Sequence, residues 1–212
     1  MRISRTYHFW FFIGILVVLL IPTVACGGTA ELVEEHGFSN LVKNGDTLWF
    51  GAGYKLYRLD LNQHIATVIY DTEDVVISSV QVDGKTLYFG GHHSPSGNDG
   101  VIWSFDLVRN DILWKQEIED SWWHGSIVTP ILIDNEVIIV GLRTAMYSID
   151  KVDGDIKCKI ANNWFGTAEL LTPILIDGQL FYGINTIGGN DPLSNRTIAI
   201  ANPSSGQTLG TI

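Results

Sequence analysis

The chain has 212 residues, 46% of them hydrophobic, and carries 13 lysines and arginines against 23 aspartates and glutamates, for a formal net charge of −10. This acidic balance argues against a nucleic-acid-binding protein, because affinity for nucleic acid depends on cationic contacts to phosphate. The two cysteines, Cys26 and Cys158, give no basis for an internal disulfide framework, and Cys158 is expected to be a small, buried apolar side chain.

The first 25 residues have the pattern of an export signal. Arg2 and Arg5 give a positive start, residues 9–25 carry no charge, and Cys26 is followed by two glycines. We predict a signal peptide with an N-terminal signal helix over 1–25. An uncleaved anchor and ordinary cleavage are the alternatives, although the uncharged stretch is short for a membrane-spanning helix, which needs about 20 residues.

Cys26 lies where bacterial lipoproteins carry the cysteine that receives a lipid. The segment Val24-Ala25-Cys26 resembles the lipobox of that class, with Thr23 where leucine is usual. The resemblance implies lipidation of Cys26 and a lipid-anchored tether over 26–37. It also implies an extracytoplasmic, membrane-anchored location, facing the periplasm or the cell surface.

A six-residue fragment, Thr-Pro-Ile-Leu-Ile-Asp, occurs verbatim at 129–134 and again at 172–177. Each copy is followed by a polar turn and a second apolar run. Repeats of about 40–50 residues built from short strands are typical of β-propellers. A β-sandwich is the alternative fold, but it does not predict a verbatim repeat.

Residues 38–212 indicate four units of four short strands each. Asp, Asn and Gly turns separate the strands, and Asp83-Gly84 is a strong hairpin signal because both residues accept a positive φ. The sequence therefore predicts an all-β propeller of four-stranded antiparallel blades. The predicted strands, unit by unit, are 38–43, 47–51, 54–59 and 65–70; 76–82, 86–90, 101–105 and 112–117; 127–133, 136–142, 145–149 and 155–160; 170–176, 179–183, 197–201 and 207–212.

The residue that ends the third strand of each unit is the first of three positions that recur from unit to unit. The three positions, each four residues apart, hold Asp60, His64 and Val68; Asp106, Asn110 and Trp114; Asp150, Gly154 and Cys158; Asn202, Gly206 and Gly210. This degenerate Asp–Gly–Trp spacing resembles the repeats of the quinoprotein-like (PQQ-repeat) β-propellers, in which the tryptophan docks neighbouring blades together. The resemblance implies structural roles for Asp60, Asp106, Trp114, Asp150, Gly154, Asn202 and Gly206.

Members of that family usually close with about seven or eight blades, whereas residues 38–212 supply four. The chain is therefore expected to be either a partial propeller or a four-bladed open arc. An open arc leaves strand edges and sheet faces unprotected. Self-association or a partner protein could then close the propeller.

The sequence contains no constellation for catalysis. It has no adjacent cysteine pair of the kind that holds the quinone in the family's dehydrogenases, and no Gly-x-Ser-x-Gly, P-loop or Cys-x-x-Cys motif. We therefore expect no catalytic residues, no metal and no cofactor. A quinone-dependent dehydrogenase is the least favoured function.

Aromatic residues in the connections between units form a possible partner-binding rim. Two such connections recur at equivalent places, holding Trp122, Trp123 and His124, and then Trp164 and Phe165. Exposed tryptophans at one rim could bind a protein or a glycan. The same side chains could instead pack between blades.

His92 and His93 join the possible rim because they lie in a Gly-, Ser- and Asn-rich stretch, predicted as a loop over 90–100. With Asp99 they could bind a transition metal. The alternative is a solvated hairpin loop, since adjacent side chains in an extended loop point different ways.

Together these features predict a non-catalytic, extracytoplasmic propeller lipoprotein that acts as a protein-binding scaffold, as the resemblance to envelope PQQ-like repeat proteins implies. The expected partners are envelope proteins, a membrane reached through the lipid, and a second copy of the chain, with no nucleic acid. The alternative is a carbohydrate-binding or enzymatic propeller with its site at the aromatic rim.

Overall fold

The computed structural model describes antiparallel β-sheets that begin just after the predicted tether. No helix occurs among the described residues. The predicted signal peptide over 1–25 and the tether residues 26–36 lie outside them. The described residues are 37–94, 99–119, 127, 131–142, 145–162, 169–170, 173–185 and 197–212.

The first sheet is an antiparallel meander in which each strand pairs with the next along the chain. Its strands are β1 (Val42–Asn44), β2 (Thr47–Ala52), β3 (Lys55–Asp60) and β4 (Ile65–Asp71). The first strand is shorter than the predicted 38–43, since regular pairing begins only at Val42.

The segment before β1 uses its side chains for hydrogen bonding instead of continuing the ladder. Phe38 makes a single bridge to the end of β2, and Ser39 Oγ accepts the Gly51 N–H at 2.7 Å. The Asn40 side chain exchanges two hydrogen bonds of 2.8 Å with the Val80 backbone in the next sheet. These bonds explain the late start of β1 and tie the first sheet to the second.

The second sheet has the same order, with strands β5 (Val75–Asp83), β6 (Thr86–His93), β7 (Asp99–Asp106) and β8 (Asp111–Glu119). The prediction of a loop over 90–100 is wrong at both ends, because β6 continues to His93 and β7 begins at Asp99. Composition indicated a loop, but Gly91 lies so close to the Val76 carbonyl group that only a residue without a Cβ fits. The glycine therefore permits the strand pairing.

The third and fourth sheets repeat the antiparallel meander in their described residues. Within the predicted strand 127–133, the described residues make an isolated bridge between Ile127 and Leu142 and form β9. The described residues of the predicted strand 170–176 belong to β13 and β14, both paired with β15. Pro173, which has no N–H to donate, lies directly before β14. The strands are β9 (Leu132–Ile133), β10 (Val137–Gly141), β11 (Ala145–Asp150) and β12 (Ile156–Asn162), then β13 (Glu169–Leu170), β14 (Ile174–Ile176), β15 (Gln179–Asn185), β16 (Thr197–Ala201) and β17 (Thr208–Thr211).

The sheets pack face to face in chain order through three apolar clusters. In β6, Leu87 and Phe89 belong to the cluster shared with the first sheet, whereas Tyr88 between them belongs to the cluster shared with the third. In β10, Ile138 faces the second sheet and Ile139 the fourth. Both middle sheets are thus buried on two faces, and the all-β fold of four-stranded antiparallel blades is confirmed.

Candidate functional site

The turn after each third strand is closed by an Asp or Asn side chain. Asp106 Oδ1 accepts the backbone N–H of Val108 at 2.7 Å and of Arg109 at 3.0 Å. Asp60 and Asn202 make the same pair of bonds to the residues two and three positions on, at 2.9–3.0 Å. Bonds from backbone N–H groups hold the pKa of the Asp60 and Asp106 carboxyls below 3.8. These carboxylates are engaged in turn formation.

Asp150 has the same position in the third sheet and is also paired with a lysine. Its Oδ1 accepts the Val152 N–H at 2.7 Å, and its Oδ2 lies 2.9 Å from Lys157 Nζ. The Lys157 ammonium is the main cause of the lowered pKa of the Asp150 carboxyl.

The position four residues after each of these side chains requires a left-handed backbone. The φ angles there are 57° at His64, 60° at Asn110, 81° at Gly154 and 69° at Gly206. Glycine adopts such angles without a Cβ clash, and asparagine tolerates them better than most residues. The glycine of the repeat is therefore a backbone requirement, which His64 and Asn110 meet at some cost.

Trp114 joins the second sheet to the turn that follows β11 in the third. Its side chain is buried, and its indole N–H donates to the Lys151 carbonyl oxygen at 3.1 Å. The ring lies so close to Gly154 that a Cβ there would be 2.7 Å from it. Lys151 Nζ also pairs with the Asp83 carboxylate in the β5–β6 hairpin. This geometry is an inter-blade contact, the role that the resemblance implies for Trp114.

Cys158 has the corresponding place between the third and fourth sheets. It pairs with Ser148 across the ladder just as Trp114 pairs with Ser104. Its Sγ lies 3.7 Å from the Ser204 carbonyl oxygen. Partial burial raises the pKa of the Cys158 thiol above its ordinary value, which disfavours the thiolate that nucleophilic chemistry requires.

His92 and His93 are the last two residues of β6, at one end of the second sheet. Because neighbouring side chains in a strand point to opposite faces, the two imidazoles do not converge on one site. His93 Nδ1 lies 3.0 Å from Asp74 Oδ2. The Glu117 carboxyl, whose pKa is lowered first by the Lys115 ammonium 2.8 Å away, also interacts with His93. No group of three or more His, Cys, Asp or Glu residues suited to a metal ion occurs within the described ranges.

The remaining predicted site residues lie outside the described residues. They are Cys26, Trp122, Trp123, His124, Trp164 and Phe165. The strand before the first tryptophan pair, β8, ends at Glu119 opposite Asp99. β6 ends at His93 at this same end of the second sheet. The proposed rim therefore stays a prediction.

The first sheet has an apolar face that points away from the second sheet. Trp49 and Leu56 belong to the cluster between the two sheets, so the residues that alternate with them point the other way. Phe50 and Tyr57 stack on this outer side with ring centroids 5.3 Å apart and planes 8° apart. This first-sheet face consists of Phe38, Leu48, Phe50, Tyr57, Leu59 and Val68, of which Phe38 is 67% exposed.

The fourth sheet has a matching apolar face that points away from the third sheet. Leu180 and Tyr182 belong to the cluster shared with the third sheet, and Phe181 between them points outward. Ladder partners of Phe181 on the same side include Ile174 and Ile200. This fourth-sheet face consists of Ile174, Ile176, Phe181, Ile198 and Ile200, with Ile174 51% and Ile198 46% exposed.

Sequence reasoning did not single out either face. The available signal was that Leu48, Trp49 and Phe50 are successive apolar residues, so that β2 is apolar on both sides. Such a strand is normally covered on two faces. Among the described residues, only the side toward the second sheet is covered.

No family model and no curated protein matches the chain, but solved structures do. BamB from Moraxella catarrhalis matches with a TM-score of 0.55 at 15% identity, over 79% of this chain and 49% of that one. A chain of the mitotic checkpoint complex matches at 0.58 and 18%, over 82% and 50%. A europium-containing methanol dehydrogenase matches at 0.56 and 13%, over 82% and 42%.

The chain has the β-propeller fold. These neighbours are β-propeller proteins, and BamB and the methanol dehydrogenase are PQQ-like propellers. At such low identities the likeness shows the fold alone. The chain covers half or less of the length of each of these three structures. Within the described residues, no helix is long and apolar enough to cross a membrane.

Proposed function

We propose that this protein is a non-catalytic, extracytoplasmic lipoprotein of the PQQ-like propeller type whose role is to bind protein. The observation that carries the proposal is the pair of uncovered apolar faces at the two ends of the sheet stack. Contiguous exposed apolar surface on a folded domain marks an interaction site. The first-sheet face adds an aromatic stack, a side-chain type enriched at protein interfaces.

The described polar groups support binding over chemistry. The repeat carboxylates at Asp60, Asp106 and Asp150 hold turns, and burial suppresses ionisation of Cys158. His93 is paired with the Asp74 carboxylate and also interacts with that of Glu117. None of these groups forms the nucleophile, base and orienting partner that covalent catalysis requires. Likeness to a methanol dehydrogenase is a likeness of fold, and no activity is transferred from it.

Membership in the PQQ-like class is supported by the geometry of the repeat. The Asp turn, the left-handed position and the docking tryptophan occur together around Asp106, Trp114 and Gly154. In that arrangement the tryptophan of one sheet packs on the turn of the next. Such a contact is the physical basis of the family's spacing.

The lipid anchor is tested by metabolic labelling with a palmitate analogue in a bacterial host. We expect the wild-type chain to take up the label, because Cys26 follows a positively charged and then uncharged export segment. The Cys26→Ala variant should lose the label entirely. Cys158→Ala is the matched control and should be labelled normally. Equal labelling of wild type and Cys26→Ala would contradict the anchor.

Protein binding is tested by photocrosslinking in cells, with a benzophenone amino acid placed at Tyr57, at Phe181 or at Val108. The first two positions lie on the two apolar faces, and Val108 is an equally apolar residue, 69% exposed, in the turn after β7. We expect discrete protein adducts from Tyr57 and Phe181 and none from Val108. Absence of adducts at both faces, with the fold intact, would contradict the proposal.

A further inference from the structure

We infer that the protein covering the two apolar faces is a second copy of this chain, with the first-sheet face of each copy packed on the fourth-sheet face of the other. This inference rests on the proposed protein-binding function and names the partner. Two copies with four sheets each would then form one closed ring of eight.

The first-sheet face repeats a surface that is buried inside the chain. Phe89 and Trp103 of the second sheet stack with centroids 5.0 Å apart and planes 7° apart. Phe50 and Tyr57 form the same stack, at 5.3 Å and 8°, in the first sheet. Phe50 follows its hairpin by the same interval as Phe89, and both stacks are directly opposed ladder pairs. The two faces are therefore equivalent positions of one repeat.

The internal stack shows what the outer one lacks. Phe89 and Trp103 are 0% and 2% exposed, because Tyr70 of the preceding sheet packs on both rings, at 5.8 and 6.4 Å. No described sheet precedes the first one, so Phe50 and Tyr57 remain half-buried. The first-sheet face thus requires a preceding sheet.

The fourth-sheet face requires the complementary neighbour. Phe181 is the third residue of its strand, which begins directly after a two-residue hairpin turn. Trp49 in the first sheet and Tyr88 in the second have the same position. Trp49 and Tyr88 are buried against the sheet that follows theirs. Phe181 has no following sheet among the described residues. A contact between the fourth sheet of one copy and the first sheet of another satisfies both faces with the geometry already used between sheets.

Three observations favour a second copy over an unrelated protein. The chain itself carries both halves of the contact, and a two-fold pairing makes that contact twice, leaving neither face uncovered. The chain covers only 49% and 50% of two propellers that it matches. One pair of opposite charges is also available to the contact, since Lys43 pairs with Leu48 on the first-sheet face and Asp177 follows Ile176 on the other. Both charges lie at the hairpin end, where Asp83 and Lys151 join the middle sheets.

The test is the mass of the full chain in mild non-ionic detergent, by light scattering on a size column, for wild type, Phe50→Lys and Phe181→Glu. We expect a dimer for wild type and monomers for each variant. The dissociation constant should rise at least about tenfold for each of the two contacts, thus about 100-fold. An equimolar mixture of the two variants should recover the dimer, because one contact is then unaltered and the other pairs lysine with glutamate.

Two controls keep the outcome interpretable. Val152→Glu changes an apolar residue that is 86% exposed in the turn after β11, and its dissociation constant should match wild type. Tyr57→Lys and Ile198→Glu form a second complementary pair, to be used if circular dichroism shows that either first variant is misfolded. Recovery of the dimer on mixing is the result that an unspecific loss of solubility would not give.

A wild-type monomer, a dimer insensitive to both substitutions, or a dimer sensitive to Phe50→Lys alone would overturn the inference. The last result would mean that two first-sheet faces pack on each other. A monomer whose Tyr57 position crosslinks to a different protein would overturn the second copy and leave the proposed function standing. A monomer without adducts would overturn both.

Discussion

Replacing Trp114 with alanine is expected to lower the free energy of unfolding by about 3–5 kcal/mol. The side chain is buried between the second and third sheets, where it packs near Tyr88 at a centroid distance of 6.0 Å and against Gly154. Alanine would leave a cavity on that seam and remove the donor to the Lys151 carbonyl oxygen. Urea unfolding followed by circular dichroism measures the loss.

Two variants separate the tryptophan's inter-sheet role from a general effect of substitution. Trp114→Phe keeps most of the apolar volume and should recover part of the lost stability. Cys158→Ala changes the equivalent position of the third sheet, where a small side chain makes the contact, and should cost no more than about 1 kcal/mol. If Trp114→Ala costs no more than Cys158→Ala, the tryptophan does not join the sheets as described.

The parts of the fold that could be predicted from sequence are those fixed by local chemistry. An aspartate can accept N–H groups two and three residues on whatever surrounds it, so the turns at Asp60 and Asp106 are determined within a few residues. The hairpin at Asp83-Gly84 is equally local, since Gly84 supplies the positive φ of 59°. Four such units in register made the propeller prediction possible.

The errors arose where a distant backbone determines the structure. The stretch over 90–100 has the composition of a loop, yet β6 continues to His93 because the Val76 carbonyl group packs where a Cβ of Gly91 would be. The first strand starts late because the Asn40 side chain bonds to Val80, forty residues away. In both cases the partner residue cannot be identified from the nearby sequence.

The candidate site shows the same division. The rim residues Trp122 and Trp164 were chosen for their chemistry, and the structure leaves that prediction open. The two apolar faces depend on the position of a sheet in the stack instead. Phe50 and Phe89 occupy equivalent places in similar strands, and only the order of the sheets determines which of them is covered. Bulges add a second such effect. In the second sheet the irregularity lies before Trp114, which pairs with Ser104. In the first sheet it lies after Val68, which therefore pairs with Tyr57 on the outer face.

Replacing Gly91 with alanine is expected to cost about 3 kcal/mol or more, a larger effect than the usual methyl insertion, because the added Cβ would overlap backbone atoms. It would meet the Val76 carbonyl oxygen and lie 2.7 Å from the carbonyl carbon. A backbone carbonyl paired in a ladder cannot rotate away as a side chain can, so β5 and β6 must separate at that point. The damage would extend to the edge where His93 and Asp74 pair.

Gly210→Ala is the matched control for this substitution. Gly210 is also a strand glycine, but nothing lies within 4 Å of its Cβ position, so the change should alter stability by no more than about 0.5 kcal/mol. Urea unfolding of both variants, with hydrogen exchange to locate the loss, provides the measurement. Equal stabilities of the two variants would show that β5 and β6 lie farther apart at Gly91 than in the structure. A large loss confined to Gly91→Ala would show that close backbone packing, rather than a loop, explains the glycine at position 91.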